Sequence, residues 1–145
     1  MQIIYYKQEN GYAPAKAYLV SRYSHSEGDD KKTINNKLKR LAKADLVIKN
    51  AAENGGIARG TYSARLIGYP FQELRSSEGD DEVRILYFPY RKEKLVLLSA
   101  YDKPDKYEKA EKKKIDKKIR DTHEQTKKYY EDFLSNPNHY EVYKK

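Results

Sequence analysis

Two arginines, Arg75 and Arg84, stand inside short apolar runs, Phe71-Gln-Glu-Leu-Arg75 and Val83-Arg-Ile-Leu-Tyr-Phe88, with a polar turn between them. A guanidinium inside an apolar hairpin costs desolvation energy unless it meets a carboxylate or a phosphate. Side chains of extended chain alternate between faces, so Arg75 shares a face with Glu73 and Phe71, and Arg84 with Leu86 and Phe88. Two kinds of chemistry fit this spacing. One is an Arg–Glu pair that stitches neighbouring strands, and the other is a fixed cation that stabilises a phosphoryl group. His25, His123 and His139 are far apart in polar surroundings and read as surface histidines rather than as a two-histidine ribonuclease pair. The string SEGDD occurs twice, at 26–30 and 77–81. Each copy reads as a glycine-containing polar turn before it reads as a metal site. No phosphate-binding glycine loop and no nucleophile elbow is present. The absence of cysteine excludes disulfides, zinc–thiolate sites and a cysteine nucleophile.

The chain that must position these groups has 145 residues, the size of one domain. Charged residues make up 36% of it, close to a disorder signature, but 15 tyrosines supplement the aliphatic residues and supply enough bulk for a modest core. The net charge of +8 favours a polyanionic partner. That excess lies on the flanks: residues 1–64 carry +5, 65–102 carry −1 and 103–145 carry +4. No apolar run approaches the roughly 18 residues of a membrane span, and the first ten residues lack a signal-peptide core, so a cytoplasmic protein is expected.

The patterning predicts an α+β fold. Gln2–Lys7 reads as a first strand, and Pro14 opens a short helix over 15–22. A polar turn at 24–30 leads to an amphipathic helix from Lys31 to about Asn54, closed by Gly55-Gly56, so the two helices form a hairpin. Four runs at 64–67, 71–75, 83–90 and 95–101 then predict a three- to four-stranded antiparallel sheet, with turns at 76–81 and 91–94. From about 105 to 134 a Lys-rich helix carries a thin stripe of Ile115, Ile119, Thr122, Thr126 and Phe133, and Pro137 stops it. Residues 1–136 are expected to form the single domain and 137–145 a loose tail.

Glu73-Leu74-Arg75, a turn, Val83-Arg84-Ile85-Leu86-Tyr87-Phe88, a turn, Leu95-Val96-Leu97-Leu98-Ser99 and then Lys103-Pro104-Asp105-Lys106-Tyr107 resemble the RelE/HigB-type bacterial toxin superfamily. The likeness is greatest to the HigB-like branch also found in phages, and its motifs cover about 65–120. It implies the toxin of a toxin–antitoxin pair, a ribosome-dependent endoribonuclease in which the message's own 2′-hydroxyl attacks the adjacent phosphate without metal or cofactor. By the same resemblance Arg75 is the phosphate-stabilising arginine, Lys103 the basic residue after the last strand, and Tyr107 the aromatic acid/base or stacking residue. Arg84 matches the arginine that opens the following strand. Arg65, with Arg59, stands where relatives carry lysines. The implied partners are an antitoxin, of helix-turn-helix type, and the ribosome with its mRNA.

Residues 103–128 carry +5 on one element. Lys113, Lys117 and Lys118 are therefore expected to touch ribosomal RNA through phosphates, although a merely solvated face fits the same residues. A non-catalytic basic module stays open beside the nuclease: a gyrase-directed relative, or a phage protein that occupies a host factor.

Overall fold

The computed structural model describes residues 1–57, 62–103 and 108–143. The order is β1 (Gln2–Tyr6), α1 (Pro14–Tyr23), α2 (Lys31–Glu53), β2 (Ser63–Arg65), β3 (Gln72–Glu78), β4 (Asp81–Tyr90), β5 (Lys94–Asp102), α3 (Lys109–Ser135) and β6 (Tyr140–Val142). The expected α+β class holds, with the N-terminal strand, the helical hairpin, the sheet and the C-terminal helix in the expected order. The sheet is larger than expected. It has six strands in the order β2-β3-β4-β5-β1-β6, and it is mixed because β1 runs parallel to β5.

Local chemistry accounts for the helix ends. Asp30 caps α2 by accepting the Thr33 N–H at 2.7 Å. After α2 the chain turns through Gly55 and Gly56, both at positive φ. A Cβ on Gly56 would lie 2.7 Å from the Pro89 side chain, so only glycine lets this turn pack on β4. The Tyr87 hydroxyl fixes the same turn by donating to Gly56 O at 2.7 Å.

Helices cover both faces of the sheet. Ala15, Leu19 and Tyr23 of α1 and Ala44, Val47, Ile48 and Ala51 of α2 pack on Leu74, Val83, Ile85, Tyr87, Leu95 and Leu97. On the opposite face Phe133 of α3 packs among Ile4, Phe71, Leu86, Phe88, Val96 and Leu98. This two-sided cover explains why β1, β4 and β5 read as near-continuous apolar runs rather than as alternating ones. The β3–β4 hairpin is tighter than the six-residue turn expected at 76–81. Glu78 pairs with Asp81, leaving only Gly79 and Asp80 at the tip.

The tail corrects a second expectation. The sequence predicts a loose tail over 137–145, yet β6 pairs antiparallel with β1 through Ile4–Val142, Tyr5–Glu141 and Tyr6–Tyr140. The Tyr143 hydroxyl donates to buried Asp45 of α2 at 2.6 Å, and its ring lies 5.4 Å from that of Tyr5. Three aromatic and β-branched residues after Asn138 were the signal. It was outweighed by a short length and a terminal position.

Candidate active site

Because β3, β4 and β5 are antiparallel neighbours, their registers align side chains in rows across the α3-covered face. Arg75 lies opposite Arg84, and Arg84 opposite Tyr101. One step along, Glu73 lies opposite Leu86, and Leu86 opposite Ser99. Two arginines directly across a ladder repel each other, so this row needs carboxylates to exist. Glu73 supplies one, at only 5% exposure. Its Oε1 accepts from Arg84 Nη1 at 2.7 Å and from Arg75 Nε and Nη2 at 3.2 and 3.1 Å. Glu82 supplies the second, accepting from Arg84 Nε at 3.0 Å and Nη2 at 2.5 Å.

The two arginines thus have different fates. Arg84 is buried between two carboxylates, which makes it the strand-stitching cation, and the part of it that remains exposed lines the same cleft as Arg75. Arg75 keeps 40% of its side chain exposed. Only two of its five N–H groups are engaged by protein acceptors among the described residues. It borders a cleft of about 220 Å³ at the outer edge of β3, shared with Lys43 of α2 and with Tyr62, whose carbonyl accepts the Arg75 backbone N–H. Lys43 Nζ donates to the Tyr62 hydroxyl at 3.1 Å.

Glu73 also links this cation to a proton-carrying pair. The Tyr101 hydroxyl lies 3.5 Å from Glu73 Oε2 and 3.2 Å from His123 Nε2 of α3. Tyr69, whose hydroxyl donates to Glu124 at 3.0 Å, meets the His123 ring edge-on. Burial, reinforced by the Glu73 charge, pushes the Tyr101 phenol above its ordinary value. Burial pulls the His123 imidazole below 6.5, against the opposing pull of Glu73 and Glu124. Neutral imidazole beside a neutral phenol is the state favoured at neutral pH, and such a pair can accept or relay a proton. Among the described residues no three histidine or carboxylate side chains are grouped to hold a metal ion, and no helix there is long and apolar enough to cross a membrane.

The family profile for "Phage derived protein Gp49-like (DUF891)" matches residues 36–121, more than half of the chain. The chain belongs to this Gp49-like family. It is a RelE/HigB-like toxin family, in accord with the resemblance drawn from the ELR strand and its neighbours. No curated protein matches the chain. The matched segment runs from α2 through the β2–β5 meander into α3, so it contains Lys43, Glu73, Arg75, Arg84 and Tyr101, while His123 lies two residues beyond its end.

The Gp49-like fold gathers only some of the expected site residues. Arg75 is at the cleft. Lys103 follows β5, and its backbone N–H donates to Glu82 O at 3.1 Å, which continues the ladder one step past Tyr101. Tyr107 lies outside the described residues. Arg65 lies opposite Gln72 on β2, so it shares the α2-side face with Gln72 and Leu74 and projects away from the Arg75 face. Lys113, Lys117 and Lys118 are exposed on α3, and Lys117 pairs with Asp121 at 3.1 Å.

Sequence reasoning missed Lys43, Tyr62, Tyr101 and His123. The signal for His123 was its place in the thin stripe of α3, one residue after Thr122 and three before Thr126. A test follows from its lowered pKa. The unfolded chain takes up this proton first as pH falls, so the stability from neutral His123 is complete above about pH 6.5 and is lost as pH falls through the depressed folded value. His123→Gln should flatten the acid limb of a urea-midpoint profile between pH 7.5 and 5. An unchanged slope would place this imidazole in ordinary solvent.

Proposed function

We propose that the chain is the ribonuclease toxin of a toxin–antitoxin pair, cleaving mRNA on the ribosome by attack of a 2′-hydroxyl on the neighbouring phosphate. The observation that carries this reading is a half-exposed Arg75 held from behind by buried Glu73, at the mouth of a cleft that also holds Lys43. In the reaction the 2′-oxygen bonds to phosphorus while the bond to the 5′-oxygen breaks, leaving a 2′,3′-cyclic phosphate and a 5′-hydroxyl. The phosphorane between them gathers negative charge on its oxygens. A guanidinium already fixed in place stabilises that charge without reorganising, and Lys43 adds to the field. The proton leaving the 2′-hydroxyl and the one arriving at the 5′-oxygen need a base and an acid. The Tyr101–His123 pair, with Lys103 and Tyr107 from the resemblance, supplies the candidates. An antitoxin that neutralises a +8 surface is itself acidic over its contact face.

The test is induced expression followed by mapping of RNA 5′ ends. Cuts bearing 5′-hydroxyls inside translated frames are expected, and they should be absent from a reporter message whose start codon has been removed, so that it is transcribed but not translated. Growth arrest with intact RNA would instead favour a non-catalytic module acting on gyrase or another host factor.

A further inference from the structure

A second concave surface lies between α1 and α3. β1 pairs with β5 only as far as Tyr5–Leu97, so β5 runs on past the end of its neighbour. Ser99 and Ala100 there floor a groove of about 800 Å³. Its α3 wall carries Lys114, Lys117 and Lys118, its α1 wall carries Tyr18, and Tyr12 and Tyr129 line it as well. Lys114 and Tyr129 are fifteen residues apart on one helix and so about 22 Å apart along the groove, and Lys118 is about 16 Å from that phenol. Lys113, although next in sequence, is not part of the lining.

We propose that this groove binds a short stretch of single-stranded RNA, its phosphates on Lys114, Lys117 and Lys118 and a base stacked on Tyr12 or Tyr129. Three cations against one lining carboxylate, Asp121, select a polyanion. Aromatic rings beside cations are the usual platform for unpaired bases. A volume of this order holds a small ligand and not a duplex, and the distance from the lysines to Tyr129 makes the bound single strand several nucleotides long. A protein partner fits less well. Among the described residues the exposed large apolar side chains lie elsewhere apart from Tyr12, so a partner helix finds no aliphatic anchor there. Strand addition along β5 fails too. Tyr18 donates to Asp102 at 3.2 Å, leaving only Leu98–Tyr101 between that contact and the end of the β1 pairing. The choice of RNA over DNA rests on the ribonuclease reading above, whereas the preference for a single strand comes from the groove alone.

Fluorescence anisotropy of the full chain with a labelled eight-nucleotide 2′-O-methyl oligoribonucleotide tests this, because that probe cannot be cut by 2′-hydroxyl attack. The single strand should bind at least ~10-fold more tightly than its duplex at matched salt. Purely diffuse charge would favour the duplex, the denser polyanion. Lys114→Gln with Lys118→Gln should lower the slope of log affinity against log salt by about 1.4, roughly 0.7 for each lost phosphate contact on a single strand. Tyr12→Ala should weaken binding ~10-fold and leave the slope unchanged. Lys127→Gln with Lys128→Gln, on the same helix but outside the groove, should change the slope by less than half as much. Circular dichroism melts guard against unfolding, and the exposed Tyr12 gives a variant with little structural cost. Equal affinity for the duplex, equal loss from the Lys127/Lys128 pair, or displacement of the probe by an acidic peptide at lower concentration would overturn the proposal. Groove-dependent binding without cellular cleavage would sink the ribonuclease reading and keep the groove. Cleavage without groove-dependent binding would do the reverse.

Discussion

Arg75→Ala is expected to abolish growth inhibition and to lower the cleavage rate by ~10²–10³, the usual loss when one preorganised charge is removed from a reacting phosphoryl or acyl centre. It should do so without unfolding the protein. The side chain is 40% exposed, and Glu73 keeps Arg84 at 2.7 Å after Arg75 is gone, so no buried charge is orphaned. Arg75→Lys should recover only a small part of the activity. An ammonium cannot hold Glu73 through two N–H groups and still present others to a phosphate. The measurements are the turnover of a translated reporter message and a thermal melt of each variant. A variant that cleaves normally removes Arg75 from the reaction. One that fails to fold returns Arg75 to the role Arg84 already fills, a cation that only joins strands.

The division of labour between these two arginines was half legible in the sequence. Alternation put Arg75 on a face with Glu73 and Arg84 on a face with Leu86 and Phe88, and the β3–β4 register makes these one face. Periodicity alone could not say which arginine is buried, because burial depends on what lies across the ladder. Glu82, two residues before Arg84 on the same face of β4, closes it off together with Glu73 across the ladder, whereas Arg75 sits where β2 has just ended, its backbone N–H taken by Tyr62. Arg65, which the resemblance sets where relatives carry lysines, lies by the β2 register on the face opposite Arg75. The β1–β5 pairing was invisible because nothing local encodes a parallel contact across some ninety residues; only the unbroken Ile-Ile-Tyr-Tyr run hinted at burial on both sides. Tyr101 and His123 meet through that same tertiary arrangement. Each looked ordinary on its own element, one ending an apolar strand and the other in a charged helix.

Glu73 is the residue on which stability and chemistry meet, and the two can be separated there. Its carboxylate accepts from both arginines and lies near the Tyr101 hydroxyl, in a site almost closed to water. Glu73→Ala leaves Arg84 buried with Glu82 alone, and removing one partner of a buried ion pair typically costs about 3–5 kcal/mol. Chemical denaturation should therefore show a loss of that order, far above the roughly 1 kcal/mol of an average substitution. Replacing both partners, as in Glu73→Leu with Arg84→Met, removes the buried guanidinium and fills the space with apolar atoms, and leaves Glu82, 18% exposed, to be hydrated. That double variant should regain most of the lost stability, since buried pairs often exchange for apolar residues at little net cost. Its cleavage should nonetheless stay as low as that of Arg75→Ala. With Glu73 absent, nothing holds the Arg75 guanidinium at the cleft, and a floating cation must be ordered at the moment of reaction. Stability restored with activity still lost would establish Glu73 as the residue that positions Arg75. Activity returning together with stability would show that Arg75 needs no holder. A double variant no more stable than Glu73→Ala would mean that the four-charge row of Glu73, Arg75, Glu82 and Arg84 folds as one unit and cannot be cut in two.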